Sequence, residues 1–221
     1  MSKLARKIPS RYSLYPWVGW APKVLPFIDQ GNLQTLLNPG NYTSGIPPVN
    51  AQTQTAMLVL LCPSDNSPRL NAMANNYGKN NYPASQQICS TLRPVKIAHI
   101  TDGTSNTFMI GERDAVKGVG AVWIGRVNSV TDAMVYGRAD LPLNTPYNAA
   151  GGDPNCTRHA WSSLHPGGAN FAFCDGTVRF VDGKIESHVG YTQSCPGIPN
   201  TANFLYQNLY IKDDGRAVTV P

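Results

Sequence analysis

The chain has 221 residues, enough for one good-sized core. Only 14% of them are charged, against roughly 25% in an average soluble domain, while 20 glycines and 18 prolines punctuate the chain. This balance excludes a helical bundle, which needs Glu, Lys, Ala and Leu in quantity, and leaves a β-rich, loop-rich chain.

The net charge of +5 does not mark a nucleic-acid binder. Lys3, Arg6, Lys7 and Arg11 crowd the N-terminus, and without them 14 basic side chains face 13 acidic ones. A phosphate-binding surface concentrates Lys and Arg along one face or groove, so no nucleic-acid partner is expected. The longest apolar run, Ala56 to Cys62, is far shorter than the roughly 20 residues a membrane-spanning helix requires. The basic start has no apolar core after it and does not read as a signal peptide. Cys62, Cys89, Cys156, Cys174 and Cys195 form no C-x-x-C pair. In an oxidising compartment they allow two bridges and one remaining thiol; in a reducing one they are small apolar fillers.

Taken in chain order, an aromatic cluster (Tyr12, Tyr15, Trp17, Trp20) leads into residues 21–37. Pro22 suits a first helical turn, and Leu33, Leu36 and Leu37 have helical spacing, but Pro26 and Gly31 interrupt. Two short helical pieces follow from this, rather than one helix. Thr55 to Cys62 reads as a buried strand stopped by Pro63-Ser64-Asp65. Residues 63–93 read as an ordered, irregular excursion, and Thr107–Glu112 and Val119–Val127 as two strands joined by a charged turn. Residues 128–158 form another long insertion.

Asp175-Gly176 lies between ANFAFC and TVRFV, a preferred pair for a two-residue type I′ hairpin. That turn sets Phe173 opposite Val178 and Phe171 opposite Phe180, so Phe171, Phe173, Val178 and Phe180 share one buried face. Asp182-Gly183 and Asp214-Gly215 continue the pattern, predicting an antiparallel meander in the C-terminal third.

Several constellations admit chemistry. His165 and Asp175 could meet at the hairpin and share a proton or a metal; the plainer reading is that each fixes its own turn. Asp102, Thr104 and Asn106 offer alternating oxygens for a hard cation such as Ca²⁺, yet no second carboxylate accompanies them, and such runs commonly form Asx or Ser/Thr turns. Cys156 and His159, with His165 and Cys174, formally supply a zinc set with unusual spacing. A Ser163, His165, Asp175 triad lacks a nucleophile elbow.

The segment HPGGANFAFCDGTVRFV, with His165, Gly167, Gly168, Asp175 and Gly176, resembles the C-terminal H-x9-DG signature of a large bacterial family of prepilin-like proteins related to the major pseudopilins of type II secretion. Further blocks are similar in the same order: GWAPKVLPFIDQGNL; LCPSD with Cys62, Pro63 and Asp65; IAHITDGTSNTFMIGER with Asp102 and Gly103; and Trp123 with Gly125. The resemblance runs from about Tyr15 to Val218. It implies a basic leader, a peptidase site, a long apolar anchor helix and a pilin-like globular head. Met1 to Arg11 matches neither leader nor helix. The family often carries a cysteine just after its anchor, a lost partner that would leave Cys62 single.

The expectation is an α+β fold: a pilin-like head of antiparallel sheet with short N-terminal helical segments and long loops, the anchor helix absent. Residues 15–221 form one domain after a basic segment, 1–14. By resemblance it is a non-enzymatic structural subunit of an envelope or surface assembly outside the cytoplasm. Its partners are other pilin-like subunits or copies of itself, and a membrane is reached only through an anchor helix. No cofactor is expected beyond the Ca²⁺ option. One rival is a carbohydrate- or polymer-binding module using Trp17, Trp20 and Trp161 as exposed stacking platforms. The other is a small metal-dependent hydrolase built around His165 and Asp175.

Overall fold

A computed structural model describes residues 18–38, 46–89, 95–126, 134–149, 152–188, 203–216 and 218. It is α+β, as expected, with two sheets and short helices. No helix among the described residues is long and apolar enough to cross a membrane.

The helical pieces near the start form as the breakers dictate. Helix α1 spans Ala21–Val24 with Pro22 in its first turn, and a 3-10 turn over Leu25–Phe27 accommodates Pro26. Helix α2, Gly31–Leu37, ends where Asn38 turns left-handed at φ 38° and its N–H bonds the Gln34 carbonyl. Leu33 and Leu37, one turn apart, are its buried face. They join Ala21, Leu25, Met57, Leu60 and Trp123 in a first core cluster.

Strands β1 (Leu70–Asn71), β2 (Tyr77–Asn80) and β5 (Ala121–Val122) form a three-stranded sheet in the order β1-β2-β5. Strands β3 (Ala84–Ser85), β4 (Phe108–Gly111), β6 (Tyr136–Gly137), β7 (Gly168–Phe173) and β8 (Val178–Asp182) form a five-stranded sheet in the order β6-β3-β4-β7-β8. Its pairs are antiparallel except β3 with β6. Short helices α3 (Gln86–Cys89), α4 (Pro154–Thr157) and α5 (Leu205–Asn208) complete the elements.

Each sheet seats a tryptophan against a glycine. A Cβ on Gly78 in β2 would lie 2.3 Å from Trp123 Nε1, and one on Gly137 in β6 would lie 2.1 Å from Trp161 Nε1. Only a residue without a side chain permits this approach. Trp161, Phe108, Phe171 and Tyr206 pack as a second, aromatic core, with Phe108 stacked on Phe171 at 4.2 Å between centroids. Such pairs contribute about 0.5–1.5 kcal/mol each beyond their burial.

Four sequence expectations are corrected. The run at residues 55–62 is not a strand: Leu58–Leu60 is a 3-10 turn in which Leu58 and Val59 are exposed and Leu60 is buried. Residues 63–89 are not an irregular excursion, because they supply β1, β2, β3 and α3. Of the two strands expected at 107–112 and 119–127, the second shrinks to the two-residue β5, which lies in a different sheet from β4. After Asp182 the described residues hold α5 and bends instead of a meander.

The fifth correction concerns the hairpin. It exists, but the Gly176 N–H bonds the Phe173 carbonyl at 3.0 Å, the Phe173 N–H bonds the Thr177 carbonyl at 2.8 Å, and Gly176 has φ 88°. This is a three-residue loop, a type I turn closed by one left-handed glycine. Type I′ would force Asp175 to positive φ as well, whereas here its carboxylate accepts from the Thr177 N–H and hydroxyl. The register therefore shifts by one: Phe171 faces Arg179 and Asn170 faces Phe180. Phe171 and Phe173 are buried, while Val178 and Phe180 turn to the opposite face and are 68% and 48% exposed. Arg179 covers the buried side, its guanidinium 4.2 Å from the Phe173 ring centroid.

Candidate functional site

Three blocks far apart in sequence each bring one side chain to a single point. The first is the Cys62-Pro63-Ser64-Asp65 turn, closed by the Asp65 N–H on the Cys62 carbonyl at 3.0 Å. Proline at its second position has φ preset for such a turn. Asn81 Oδ1 accepts the Cys62 N–H at 3.0 Å, so the thiol is positioned from the end of β2. The second is Glu112, directly after β4. The third is His165, just before β7, whose N–H bonds Ser163 Oγ at 3.1 Å.

His165 Nε2 lies 3.2 Å from Glu112 Oε1 and 3.4 Å from Cys62 Sγ, and Sγ lies 3.8 Å from Glu112 Oε1. The other imidazole nitrogen, Nδ1, is 3.2 Å from Ser64 Oγ. Glu112 Oε2 accepts the Asn170 N–H at 2.7 Å, which anchors the carboxylate to β7. Cys62 and Glu112 are buried, and the His165 side chain is 27% exposed. Burial pushes the Cys62 thiol above its ordinary pKa and the Glu112 charge adds to this, while hydrogen bonds from Ser64 and Asp65 partly oppose it. Without a bound cation it is a thiol, not a thiolate nucleophile.

The surroundings are rigid. Arg113 is wholly buried and donates to the carbonyls of Ala160, His159 and Tyr136, clamping the segment that leads to His165. Loss of solvation lowers its pKa to about 9. Asp65, buried opposite, accepts from Asn81 at 2.5 Å, from the Ala115 N–H at 3.1 Å and from the Ser67 N–H at 3.0 Å. Cys62, Asp65, Asn81, Glu112 and Ser162 line a shallow recess too tight for a drug-sized ligand.

The other expected sites disperse. His165 and Asp175 lie at opposite ends of the six-residue β7, about 20 Å of extended chain, so they share neither proton nor metal. The Ser163, His165, Asp175 triad fails for the same reason. Asp175 is tied to Thr177, and Arg179 approaches it at 3.5 Å. Of the formal zinc set, Cys156 is disulfide-bonded and the His159 Nδ1 is 2.8 Å from the Asn155 carbonyl. Cys174 packs beside Cys89 in a third apolar cluster. Asp102 accepts the N–H groups of Asp214 and Gly215 at 2.8 and 2.9 Å, fastening the C-terminal segment. The Asn106 amide donates to the Asp102 carbonyl at 3.3 Å, the Thr104 carbonyl accepts the Asp175 N–H at 3.1 Å, and Gly103 takes φ 98°. Gly167 is likewise left-handed, at φ 86°, and its carbonyl accepts the Gly183 N–H; Gly168 begins β7.

Of the three expected stacking platforms the described residues place two. Trp161 is fully buried, and Trp20 is half-buried with its indole N–H on the Tyr82 carbonyl at 3.1 Å. Trp17 lies outside the described residues. Glu112 is the functional candidate that the sequence did not single out. Its signal was an acid directly following an apolar strand, in a chain with only 13 acids.

No curated protein and no solved structure matches the chain. A family model matches residues 5–188, and the chain belongs to that family, described as a protein of unknown function (DUF1559).

Proposed function

We propose that this chain is a non-catalytic structural subunit of a pseudopilin-like assembly in the cell envelope, its partners being pilin-like subunits or further copies of itself. The observation that carries this reading is how the carboxylates of the signature blocks are engaged. Asp65, Asp102 and Glu112 each accept backbone N–H groups from a distant segment, and Asp175 closes its own hairpin. Carboxylates bonded in this way brace long loops on a sheet, which suits a rigid head presenting loop surfaces. The disulfide at Cys156 fits an oxidising compartment.

The test is made in the native cell, with the chromosomal gene tagged at its 3′ end. Envelope fractionation followed by chemical cross-linking should place the protein in the membrane or surface fraction and yield adducts larger than the monomer. A cytoplasmic protein that cross-links to nothing overturns the reading.

A further inference from the structure

We propose that Cys62, Glu112 and His165 form a three-ligand site for a divalent cation of the zinc type, with water completing the fourth position. This goes beyond the structural role above and does not depend on it.

The geometry carries the argument. Zinc bonds of about 2.3 Å to sulfur and about 2.0–2.1 Å to nitrogen or oxygen, at tetrahedral angles, set ligand atoms about 3.3–3.6 Å apart. The three separations here are 3.2, 3.4 and 3.8 Å. The three ligand atoms lie within 4.8 Å of one another. They come from three segments, each held by a different partner: Cys62 by Asn81, Glu112 by Asn170, and His165 by Ser163, whose hydroxyl accepts its N–H.

The partners beyond the ligands are those a metal site needs. When Nδ1–H donates to Ser64, the Nε2 lone pair is directed at the thiol and the carboxylate. Asn170 fixes the carboxylate through its backbone N–H and its amide, the latter 3.3 Å from Oε1. The donor set selects the cation. One thiol and one imidazole suit zinc, whereas Ca²⁺ requires six to eight oxygens and Mg²⁺ an octahedron of them. On binding, the Cys62 S–H bond is exchanged for a sulfur–metal bond, and the proton leaves to solvent.

The full chain, stripped with a chelator and handled without oxygen or added thiol so that the Cys156 disulfide stays intact, is titrated with Co²⁺ alone and then with Zn²⁺. Expected are one Co²⁺ per chain, a sulfur-to-cobalt charge-transfer band in the near ultraviolet, intense visible bands of tetrahedral cobalt, and loss of both on adding Zn²⁺. Cys62→Ser should abolish the charge-transfer band while Cys89→Ser and Cys174→Ser keep it. Ser64→Ala should weaken affinity roughly tenfold to a hundredfold. If Cys62→Ser does not fold, Glu112→Gln decides: lost or at least tenfold weaker tetrahedral bands support the site, and an unchanged titration overturns it. Binding without a thiolate band, a band that survives Cys62→Ser, or no binding at all overturns the proposal.

Discussion

Lys79 Nζ lies 3.1 Å from Asp65 Oδ2, and each side chain is 1% exposed. The ammonium also donates to Ser67 Oγ at 2.7 Å and approaches the Ser67 carbonyl at 3.3 Å. This buried pair joins the signature turn to β2, and through Asn81 it reaches Cys62.

Breaking such a pair strands a charge in the interior, at a cost of about 3–5 kcal/mol. Asp65→Ala is expected to destabilise the fold by that order in denaturant titrations. Lys79→Met with Asp65→Leu should recover much of the loss, because the double variant leaves neither charge unpaired. The Asp65 carboxyl is also a pH marker. Burial pushes its pKa up, but bonds from Ser67, Asn81 and Lys79 outweigh this and hold it below the ordinary value. A folded pKa below the unfolded one means stability present above about pH 4 and lost as pH falls through the depressed value. Asp65→Asn should flatten that limb of the stability–pH curve.

His159 governs the range above it. Burial, followed by the nearby Arg113 and Arg138 charges, lowers its pKa to about 3. The unfolded chain takes up a proton near pH 6.5, which the folded chain refuses until about pH 3. Stability should therefore be full above about pH 6.5 and fall on acidification between those values, by about 1.4 kcal/mol per pH unit at most. His159→Phe is expected to remove this slope. An unaltered slope, measured as Tm against pH, would contradict the assignment.

The hairpin register is testable by paired substitutions. Phe171→Ala is expected to cost about 3–5 kcal/mol, since its ring is wholly buried. Val178→Thr and Phe180→Thr, on the exposed face, should each stay within about 0.5 kcal/mol of wild type. The two-residue turn would instead make all of them severe, so denaturant midpoints distinguish the registers.

Thiol reactivity should follow burial. The Cys89 and Cys174 thiols are pushed up to about 12, chiefly by burial; the neighbouring Cys174 adds to this at Cys89 while Lys23 opposes it, and the Asp175 charge adds to it at Cys174. At pH 8 the thiolate is then on the order of one part in ten thousand. Both are expected to resist iodoacetamide in the folded chain and to react after denaturation. Mass spectrometry should find Cys156 protected in its disulfide throughout. Rapid native alkylation of Cys174 would refute the argument.

Gly137→Ala and Gly78→Ala should each be severe. An added methyl would sit 2.1 Å from the Trp161 indole or 2.3 Å from that of Trp123, and both rings are buried. Losses of roughly 1–3 kcal/mol or more are expected from overpacking. Thermal melts check them.

Local chemistry was legible in the sequence wherever one residue type dictates the backbone. Pro22, Pro26 and Gly31 specified two short helical pieces in place of one helix, and Asp175-Gly176 specified a reversal. Facing, register and convergence were decided by the tertiary structure. A one-residue difference in loop length exchanges every side chain between the two faces of a strand, so Val178 and Phe180 left the core through one turn geometry. Cys62, Glu112 and His165 are separated by 50 and 53 positions and meet only because β4 pairs with β7 while the 62–65 turn docks beside them. Spacing along the chain carries local preferences, but it does not carry which distant segments the two cores bring together.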